Sequence, residues 1–376
     1  MELVYGRGLL LILLFIVTEL LYLRFVRKES IPWKELVLNA NSGHILLLVL
    51  RGLNLLVYTG IYQHIGWGGF QALPEIWQWV ITVILWDFFY YWSHRMHHEI
   101  PFLWNIHSVH HQGEHYSLSL GIRNSWLQTL TASPFFIPLA LLGVPTELFI
   151  AVSAVNFMIQ FYNHNRIVNK SGVLEYFMVT PSHHRVHHGS NPEYLDKNHG
   201  GSLVIWDKIF GTFKKEDPNI NIRYGTVEKV HTQSPFWANA IPFFQYFKLH
   251  LKERAVKKQY DYPSLYIASG GLVLFMLLIY YVYAQHNWPV APLAILFGTI
   301  FLGTLFLGGI ADKKRSSMIA WALISLGAGV GLMIQASILS GLSTFSVIAF
   351  SSLLLHGLLA IPQLLWIEGK ERVEIC

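Results

Sequence analysis

Nine apolar runs, most of them near the length that a bilayer requires, constrain the fold of this chain of 376 residues more than any other feature. A transmembrane helix needs about 20 consecutive, mainly apolar residues. Hydrophobic residues make up 53% of the chain and charged residues only 13%, which excludes a set of ordinary soluble domains. We therefore predict an all-α, polytopic integral membrane helical bundle of about nine spans. The runs cover about residues 8–26, 43–62, 74–92, 126–144, 145–162, 264–284, 290–310, 317–340 and 343–367.

The fourth and fifth runs and the polar segment after them set the predicted domain organisation. Pro145-Thr146 marks the boundary between the two runs, which predicts a tight helical hairpin that is either spanning or re-entrant. From His164 to about Tyr262 the chain is polar and basic. We therefore predict a histidine-rich domain at 1–262 and a C-terminal four-helix transmembrane bundle at 263–376.

Basic residues in the short loops orient the predicted spans. Lys and Arg follow the first and seventh runs and recur in the histidine-rich segments, whereas the loops 63–75 and 285–289 contain none. The positive-inside rule then places the N-terminus outside and the histidines in a cap on the cytoplasmic face. The expected location is the endoplasmic reticulum in a eukaryote or the inner membrane in a bacterium. A net charge of +5 without a basic stripe excludes nucleic acid as a partner.

Histidines are concentrated in one part of the chain. Of the 19 histidines, 13 lie between His94 and His199, where an even distribution would place about 5. The only cysteine is Cys376, so the sequence excludes intrachain disulfides, Cys-ligated iron–sulfur clusters and zinc ribbons. Any bound metal must be held by histidines and carboxylates.

The spacing of these histidines predicts two adjacent metal sites. His94 and His98 are one helical turn apart, so both imidazoles can reach one metal. In the HxxHH box that begins at His107, the outer pair shares a helix face and the middle histidine points about 100° away, toward a second metal. The same box returns at His184, and His164, which follows the predicted hairpin, is a further candidate. The nine predicted ligands are His94, His98, His107, His110, His111, His164, His184, His187 and His188.

Two carboxylates are candidates for catalytic or supporting roles. Asp87 lies seven residues before His94, inside a predicted span, where a carboxylate is costly and usually functional. We expect it to accept a histidine N–H. Glu99 adjoins His98 and either orients an imidazole, bridges metals or is a solvated acid at the helix end. His97, His115, His183 and His199 are off the main spacing, and we interpret them as supporting or substrate-facing groups.

At these motifs the sequence resembles the fatty acid hydroxylase and sterol desaturase superfamily. The resemblance rests on Asp87 to Glu99, Phe102 to His111, Thr180 to Gly189 and Asp196 to Phe213. It implies a membrane di-iron oxygenase that uses two Fe ions and O₂, with the metal ligands on eight of the histidines named above, all except His164. For one subgroup it also implies tetrahydrobiopterin as reductant and hydroxylation of the ether-bonded carbon of an alkylglycerol. By position, Glu99 matches a glutamate of the family that is expected to contribute to activity.

The source of electrons is the least constrained prediction. The chain has no dinucleotide-binding or haem-binding motif, so the electrons come from a separate molecule. We predict a tetrahydropterin site in the cap, with Trp206 stacking on the pterin and Asp207 accepting a hydrogen bond from it. Packing at the membrane interface is the alternative role for Trp206. The alternative donor is an electron-transfer protein that docks on Lys208, Lys214 and Lys215.

Three other classes of function compete with a hydroxylase. A desaturase has similar histidine boxes, and the sequence does not exclude it. A metal transporter would place ionisable residues midway through several spans, and a zinc hydrolase would not need eight or nine ligands. Product analysis with ¹⁸O₂ separates the enzymatic options, because only a hydroxylase incorporates the label.

Overall fold

The computed structural model describes residues 2–42, 44–249, 260–339 and 341–373, and its regular secondary structure there is helical. His250 and Cys376 lie outside the described residues. Besides short 3₁₀ and π turns, those ranges contain one isolated antiparallel bridge, between Met178 and Leu203. The helices are α1 (Glu2–Leu21), α2 (Trp33–Asn41), α3 (His44–Ile65), α4 (Glu75–Glu99), α5 (Pro101–His111), α6 (Gln128–Leu141), α7 (Thr146–Asn163), α8 (Pro181–His187), α9 (Ile205–Ile209), α10 (Pro235–Tyr246), α11 (Ser264–Ala284), α12 (Val290–Ala311), α13 (Arg315–Leu339) and α14 (Thr344–Val373).

Five helical segments of the described chain are long and apolar enough to cross a membrane. They are Gly8–Val26, Ser264–Ala284, Val290–Ala311, Arg315–Leu339 and Thr344–Leu365. These are the first and the last four predicted runs, which confirms the all-helical class and its membrane helices. The middle four runs form α3, α4, α6 and α7. Their passage through a bilayer, the total of nine spans and the cytoplasmic orientation stay predictions.

The chain divides into two compact units. The bundle unit comprises Met1–Ile45, His231–Ile241 and Leu249–Cys376, and the histidine unit comprises Leu46–Val230 and Pro242–Lys248. The predicted division at residue 262 was drawn from the polarity of the sequence alone and stays a prediction.

The bundle unit is a set of packed apolar helices. Helix α11 contacts α1, α2, α12 and α14, and α13 packs between α12 and α14. Three of its buried residues form a chain of hydrogen bonds: Trp321 Nε1 donates to His356 Nδ1 at 2.8 Å, and His356 Nε2 donates to the Tyr266 carbonyl at 2.9 Å. His356 is therefore a packing residue of this unit.

The core of the histidine unit lies where α4 packs against α6 and α7. Tyr58, Trp86, Phe136 and Phe149 are buried there, and Trp86 Nε1 donates to Ser153 Oγ at 2.9 Å. This packing fixes the histidine-bearing end of α4 relative to the end of α7.

A tight turn connects α6 and α7 at the place where the sequence predicts a hairpin, and the hairpin itself stays a prediction. Gly143 has a φ of +85°, and a Cβ there would lie 2.0 Å from the Trp67 carbonyl oxygen, so only glycine fits. The amides of Gly143 and Val144 bond back to the carbonyls of Ala140 and Leu139, each at 3.0 Å, which closes the end of α6.

Candidate metal centre

Nine histidines of the histidine unit form two clusters, within each of which the potential ligand atoms lie no more than 4.8 Å apart. They come from α4, from α5, from the C-terminal end of α7 and from α8. The first cluster contains His94, His98, His107, His111 and His187. The second cluster contains His110, His164, His184 and His188. The structure thus brings together all nine histidines that the sequence predicts as ligands.

The helical repeat explains how two HxxHH boxes serve both clusters. In α5 the outer pair, His107 and His111, enters the first cluster, and His110 between them enters the second. The HxxHH box that begins at His184 has the reverse arrangement. Its outer pair, His184 and His188, enters the second cluster, and His187 enters the first. Helix α5 starts immediately after α4, with Pro101 at its first position, where proline costs no hydrogen bond.

Nitrogens of the first cluster approach one another closely. His94 Nε2 lies 3.0 Å from His107 Nε2, which lies 3.3 Å from His111 Nε2. Ligand nitrogens about 2.1 Å from a shared metal would stand about 3.0 to 3.4 Å apart at bond angles between 90° and the tetrahedral value. The observed separations match that range. His98 Nε2 and His187 Nε2 are buried and have no hydrogen-bond partner among the described residues.

His164 is the central residue of the second cluster. Its Nε2 lies 3.0 Å from His184 Nε2, 3.1 Å from His188 Nε2 and 3.2 Å from His110 Nε2. His164 caps the end of α7, and Gly121 lies against its ring, so that a Cβ there would stand 3.0 Å from Nδ1. These contacts place His164 where it can bind the same metal as His184 and His188.

In five of the cluster histidines, the ring nitrogen that faces away from the cluster is bonded to an oxygen atom. A carbonyl or amide oxygen can only accept, so each of these Nδ1 atoms carries the proton of a neutral imidazole and leaves Nε2 with a lone pair. The pairs are His94 with the His199 carbonyl (2.8 Å), His107 with Gln128 Oε1 (3.3 Å), His110 with the Arg123 carbonyl (2.9 Å), His164 with the Gln160 carbonyl (2.7 Å) and His187 with the Lys197 carbonyl (3.0 Å).

This arrangement tests whether the residues fit a metal. His110 and His164 both donate a hydrogen bond from Nδ1 to a backbone carbonyl, yet their Nε2 atoms lie 3.2 Å apart. His94 and His107 repeat the relationship at 3.0 Å. Two lone pairs at such a distance repel each other unless a positive charge lies between them. The donor sets therefore fit a transition-metal ion in each cluster, since imidazole is the ligand that iron, zinc, copper and nickel accept.

Electrostatics keeps these imidazoles neutral. Burial lowers the pKa of His184 well below its usual value, and the neighbouring His164 lowers that pKa further. Burial likewise lowers the pKa of His187, with His199 adding to the effect. Neutral imidazole is the form that binds a metal. Both clusters are therefore capable of holding one.

Asp87 has a different set of partners from the predicted one. Its Oδ1 accepts the Ser202 amide at 2.7 Å and Asn156 Nδ2 at 3.1 Å, and its Oδ2 accepts the Leu203 amide and Trp206 Nε1, each at 3.0 Å. The expected histidine N–H is not among these four donors. The physical reason is proximity: the backbone at 202–203 passes beside this face of α4. Asp87 anchors that backbone.

Glu99 and Asp196 differ in whether they lie beside an imidazole. Glu99 accepts a hydrogen bond from Arg95 Nε at 2.7 Å, one helical turn away. The carboxylate beside an imidazole is instead that of Asp196, whose Oδ1 lies 3.5 Å from His98 Nδ1. Asp196 was missed because it belongs to no histidine box. Its signal was the run Asp196-Lys-Asn, which is typical of a turn.

Trp206 and Asp207 also differ from their predicted role as pterin contacts. Asp207 is fully buried, and its oxygens accept the amides of His199 (2.7 Å) and Gly200 (2.8 Å) and the Thr212 hydroxyl (2.7 Å). Trp206 donates its N–H to Asp87. The packing role that the sequence offers as an alternative for Trp206 agrees with this contact, and a pterin contact at either residue stays a prediction.

Two further histidines lie beside the clusters. His97 is bonded through Nδ1 to the Ser93 carbonyl at 2.7 Å and through Nε2 to Thr131 Oγ1 at 2.8 Å. It packs α4 against α6. His199 is buried 4.9 Å from His98 between ring centroids, and neither of its ring nitrogens has a hydrogen-bond partner among the described residues.

A cavity of about 510 Å³ opens directly on the clusters. Volumes of 300–1,000 Å³ are usual for small-molecule sites. Its polar wall includes Asn105, which is buried and whose Nδ2 has no partner in the described structure, and its apolar wall includes Trp104 and Val230. The metal-cluster histidines that line it are His98, His111, His187 and His188.

Comparison with known proteins agrees with this geometry. The fatty acid hydroxylase family matches residues 79–212. The chain is 44% identical to human alkylglycerol monooxygenase over 159 residues, which are 42% of this chain and 35% of that protein. It is 35% identical to the alkylglycerol monooxygenase of Xenopus tropicalis over 221 residues, which are 55% of this chain and 48% of that protein. An ornithine lipid hydroxylase from Rhizobium tropici is 34% identical to the chain over 142 residues, which are 37% of this chain and 43% of that protein. No solved structure matches the chain.

The matched segment contains the whole candidate metal centre. All nine cluster histidines lie between His94 and His188, inside the family match. The aligned part covers about a third to a half of these relatives' own lengths. The stretch that is similar to the fatty acid hydroxylase family, residues 79–212, therefore contains nine histidines in two clusters.

Proposed function

We propose that this protein is a membrane di-iron monooxygenase that hydroxylates a lipid C–H bond with O₂. The observation that carries the proposal is the pair of histidine clusters, whose buried lone pairs face each other beside a cavity. The family match and the similarity to alkylglycerol monooxygenases support the same class of reaction. The five long apolar helices support a membrane location, and we place the site on the cytoplasmic face.

Each cluster would hold one iron. His94, His98, His107, His111 and His187 would bind the first, and His110, His164, His184 and His188 the second. Bound iron would supply the redox chemistry that activates O₂. The chain's own contribution is to fix the imidazoles through their Nδ1 protons and to exclude water, because the cluster histidines are almost completely buried.

The substrate best supported is an alkylglycerol, hydroxylated at the ether-bonded carbon. The product is a hemiacetal, which breaks down to an aldehyde and glycerol. In this proposal the cavity holds the reacting part of the lipid against His98 and His187, and Trp104 provides an apolar wall for the chain. Asn105 Nδ2, a buried donor without a partner among the described residues, would bond a hydroxyl of the headgroup.

A tetrahydropterin is the proposed reductant, since the sequence contains no flavin, nicotinamide or haem motif. Asp207 accepts three hydrogen bonds from within the protein and Trp206 donates to Asp87, so we place the pterin ring in the cavity beside the clusters and not at this pair. A small electron-transfer protein is the alternative.

A second candidate function is hydroxylation or desaturation of a fatty acid or sterol, fed by such an electron-transfer protein. The similarity to an ornithine lipid hydroxylase favours keeping other lipids in view. A metal transporter is not favoured, because the nine histidines lie together in two buried clusters and do not follow a path through the spans.

Isotope labelling tests the proposal. Purified protein receives an alkylglycerol, tetrahydrobiopterin and ¹⁸O₂, and the aldehyde is reduced at once to the alcohol so that its oxygen does not exchange with water. We expect one ¹⁸O atom in the alcohol. A dehydrogenated lipid without label indicates a desaturase, and turnover that needs no O₂ indicates a hydrolase. The exposed His231 provides a matched control, because His231→Ala should retain full activity.

A further inference from the structure

One short segment, Asp196–His199, contacts three of the five histidines of the first cluster. The Lys197 carbonyl accepts from His187 Nδ1 at 3.0 Å, and the His199 carbonyl accepts from His94 Nδ1 at 2.8 Å. The Asp196 carboxylate lies 3.5 Å from His98 Nδ1. These three imidazoles come from two helices, α4 and α8, so the segment fixes the position of one set of ligands relative to the other.

The backbone of the segment is held in an unusual conformation. Asp196 has a φ of 54° and Asn198 a φ of 56°, the left-handed region that non-glycine residues other than Asn and Asp rarely adopt. Such a conformation is strained and persists only where the surroundings determine it. In this segment the left-handed conformation points the carbonyls of Lys197 and His199, which are two residues apart, toward the first cluster.

Side chains on both sides hold that conformation. Asn198 Nδ2 donates to the His183 carbonyl at 3.0 Å and to the Lys214 carbonyl at 2.7 Å, and its Oδ1 accepts the Lys214 amide at 2.8 Å. The buried carboxylate of Asp207 accepts the His199 amide at 2.7 Å and the next amide at 2.8 Å. Asp207 thus holds the peptide units from which the His199 carbonyl projects.

The second cluster is supported by other parts of the chain. His110 bonds to the Arg123 carbonyl and His164 to the Gln160 carbonyl. The hydrogen bonds of Asp196–His199 to cluster histidines all go to the first cluster. The two metal sites therefore differ in what orients them.

We propose that Asp196–His199 is a positioning loop of the first cluster, held in place by Asp207, and that disturbing it releases the first metal while the second stays bound. The proposal rests on the proposed di-metal function. It gives a role to Asp207 and to the left-handed residues Asp196 and Asn198, none of which belongs to a histidine box.

The test measures iron per chain in the full-length protein, purified in detergent and equilibrated with a chelator. Wild type should retain two irons and Asp207→Ala about one, because loss of such supporting groups weakens metal binding about 10- to 100-fold. Gly121→Val is the matched variant for the second cluster, since the added side chain would displace the His164 ring. It should also retain about one iron.

Double variants identify which iron has gone. Asp207→Ala combined with His187→Ala should still retain one iron, because both changes affect the first cluster. Asp207→Ala combined with His184→Ala should retain none. If the two double variants retain the same amount of iron, the loop does not act on one cluster and the proposal is wrong.

Asp196 provides a variant with little risk to folding, because its side chain is 61% exposed. Asp196→Gly tolerates the φ of 54° and removes the carboxylate, so the chelator should extract the first iron about 10- to 100-fold more readily. Asp196→Asn retains an oxygen acceptor and should restore wild-type retention. If Asp196→Gly retains two irons as firmly as wild type and Asp207→Ala does too, the loop has no positioning role. If wild type itself binds no metal, the proposed function fails instead.

Discussion

The Nε2 atoms of His164 and His184 lie 3.0 Å apart, although 20 residues separate them in the chain. Two further imidazoles, His188 and His110, approach the same Nε2 of His164 within 3.2 Å. His164 belongs to no histidine box, yet its Nε2 lies within 3.2 Å of an Nε2 atom of each of the other three residues of the second cluster. Whatever the second cluster binds is therefore expected to depend on His164 as strongly as on the box histidines.

His164→Ala should halve the iron content and reduce turnover by at least about 100-fold. The physical reason is that a four-nitrogen site loses a quarter of its ligands and its central contact. Elemental analysis and a lipid turnover assay measure the two effects. His286→Ala, an exposed histidine of the bundle unit, should change neither. Full iron content in His164→Ala would remove His164 from the ligand set.

Alanine at His98, His110 or His187 should abolish turnover and leave the protein inserted in the membrane. Each residue offers its Nε2 to a cluster, whereas the apolar helices that the bilayer stabilises are unchanged. Turnover assays and membrane fractionation are the two measurements. Near-normal activity in two of the three variants would contradict the di-metal assignment.

Asp87→Ala should destabilise the histidine unit strongly. Four donors converge on this buried carboxylate, and each buried group left without a partner costs about 1–3 kcal/mol. Thermal unfolding or protease resistance measures the loss. The exposed ion pair between Lys229 and Glu114 provides the comparison, because Glu114→Ala should cost at most about 1 kcal/mol. Equal stability of the two variants would show that Asp87 does not anchor the backbone at 202–203.

Asn105→Leu should raise the KM for an alkylglycerol by about 5-fold and affect a substrate without headgroup hydroxyls much less. Asn105 lines the cavity and its Nδ2 has no partner among the described residues, and a hydrogen bond to a neutral group contributes about 1 kcal/mol. Steady-state kinetics with the two substrates gives the comparison. An equal rise in KM for both substrates would indicate a change of cavity shape instead of a lost hydrogen bond.

Helical periodicity carried the part of the site that could be predicted from the sequence. Spacings of three and four residues determine which imidazoles share a helix face, so the boxes at His94, His107 and His184 could be sorted by faces before any tertiary contact was known. Hydropathy likewise predicted the five apolar helices, because the length of a span is set by the bilayer and not by neighbouring residues.

Tertiary contacts that no local pattern encodes account for the errors. The histidine partner expected for Asp87 and the pterin expected at Asp207 were inferred from sequence proximity to ligands. Both carboxylates instead accept backbone amides from the segment 199–203. Asp196 was overlooked for the same reason, since its approach to His98 depends on a turn that returns the chain to α4 from 98 residues away.

Purified protein should turn over an alkylglycerol with O₂ and tetrahydrobiopterin as the only reductant. The alternative, an acidic electron-transfer protein, would need the basic surface formed by Lys208, Lys214 and Lys215. Lys208 is partly committed, since its ammonium donates to the Tyr176 carbonyl at 2.6 Å and lies over the Phe213 ring. That leaves a small area of positive charge at Lys214 and Lys215.

The two reductants differ in their response to salt and to charge reversal. Activity supported by the pterin should be nearly independent of ionic strength between 50 and 300 mM and unchanged in Lys214→Glu/Lys215→Glu, because the pterin is small and its site lies in the cavity. Docking of a protein donor would weaken steeply over the same range, since the Debye length falls to about 6 Å. If the purified protein stays inactive until a reduced electron-transfer protein is added, and the charge reversal then abolishes turnover, the pterin assignment is wrong. The fatty acid or sterol hydroxylase branch then becomes the better description.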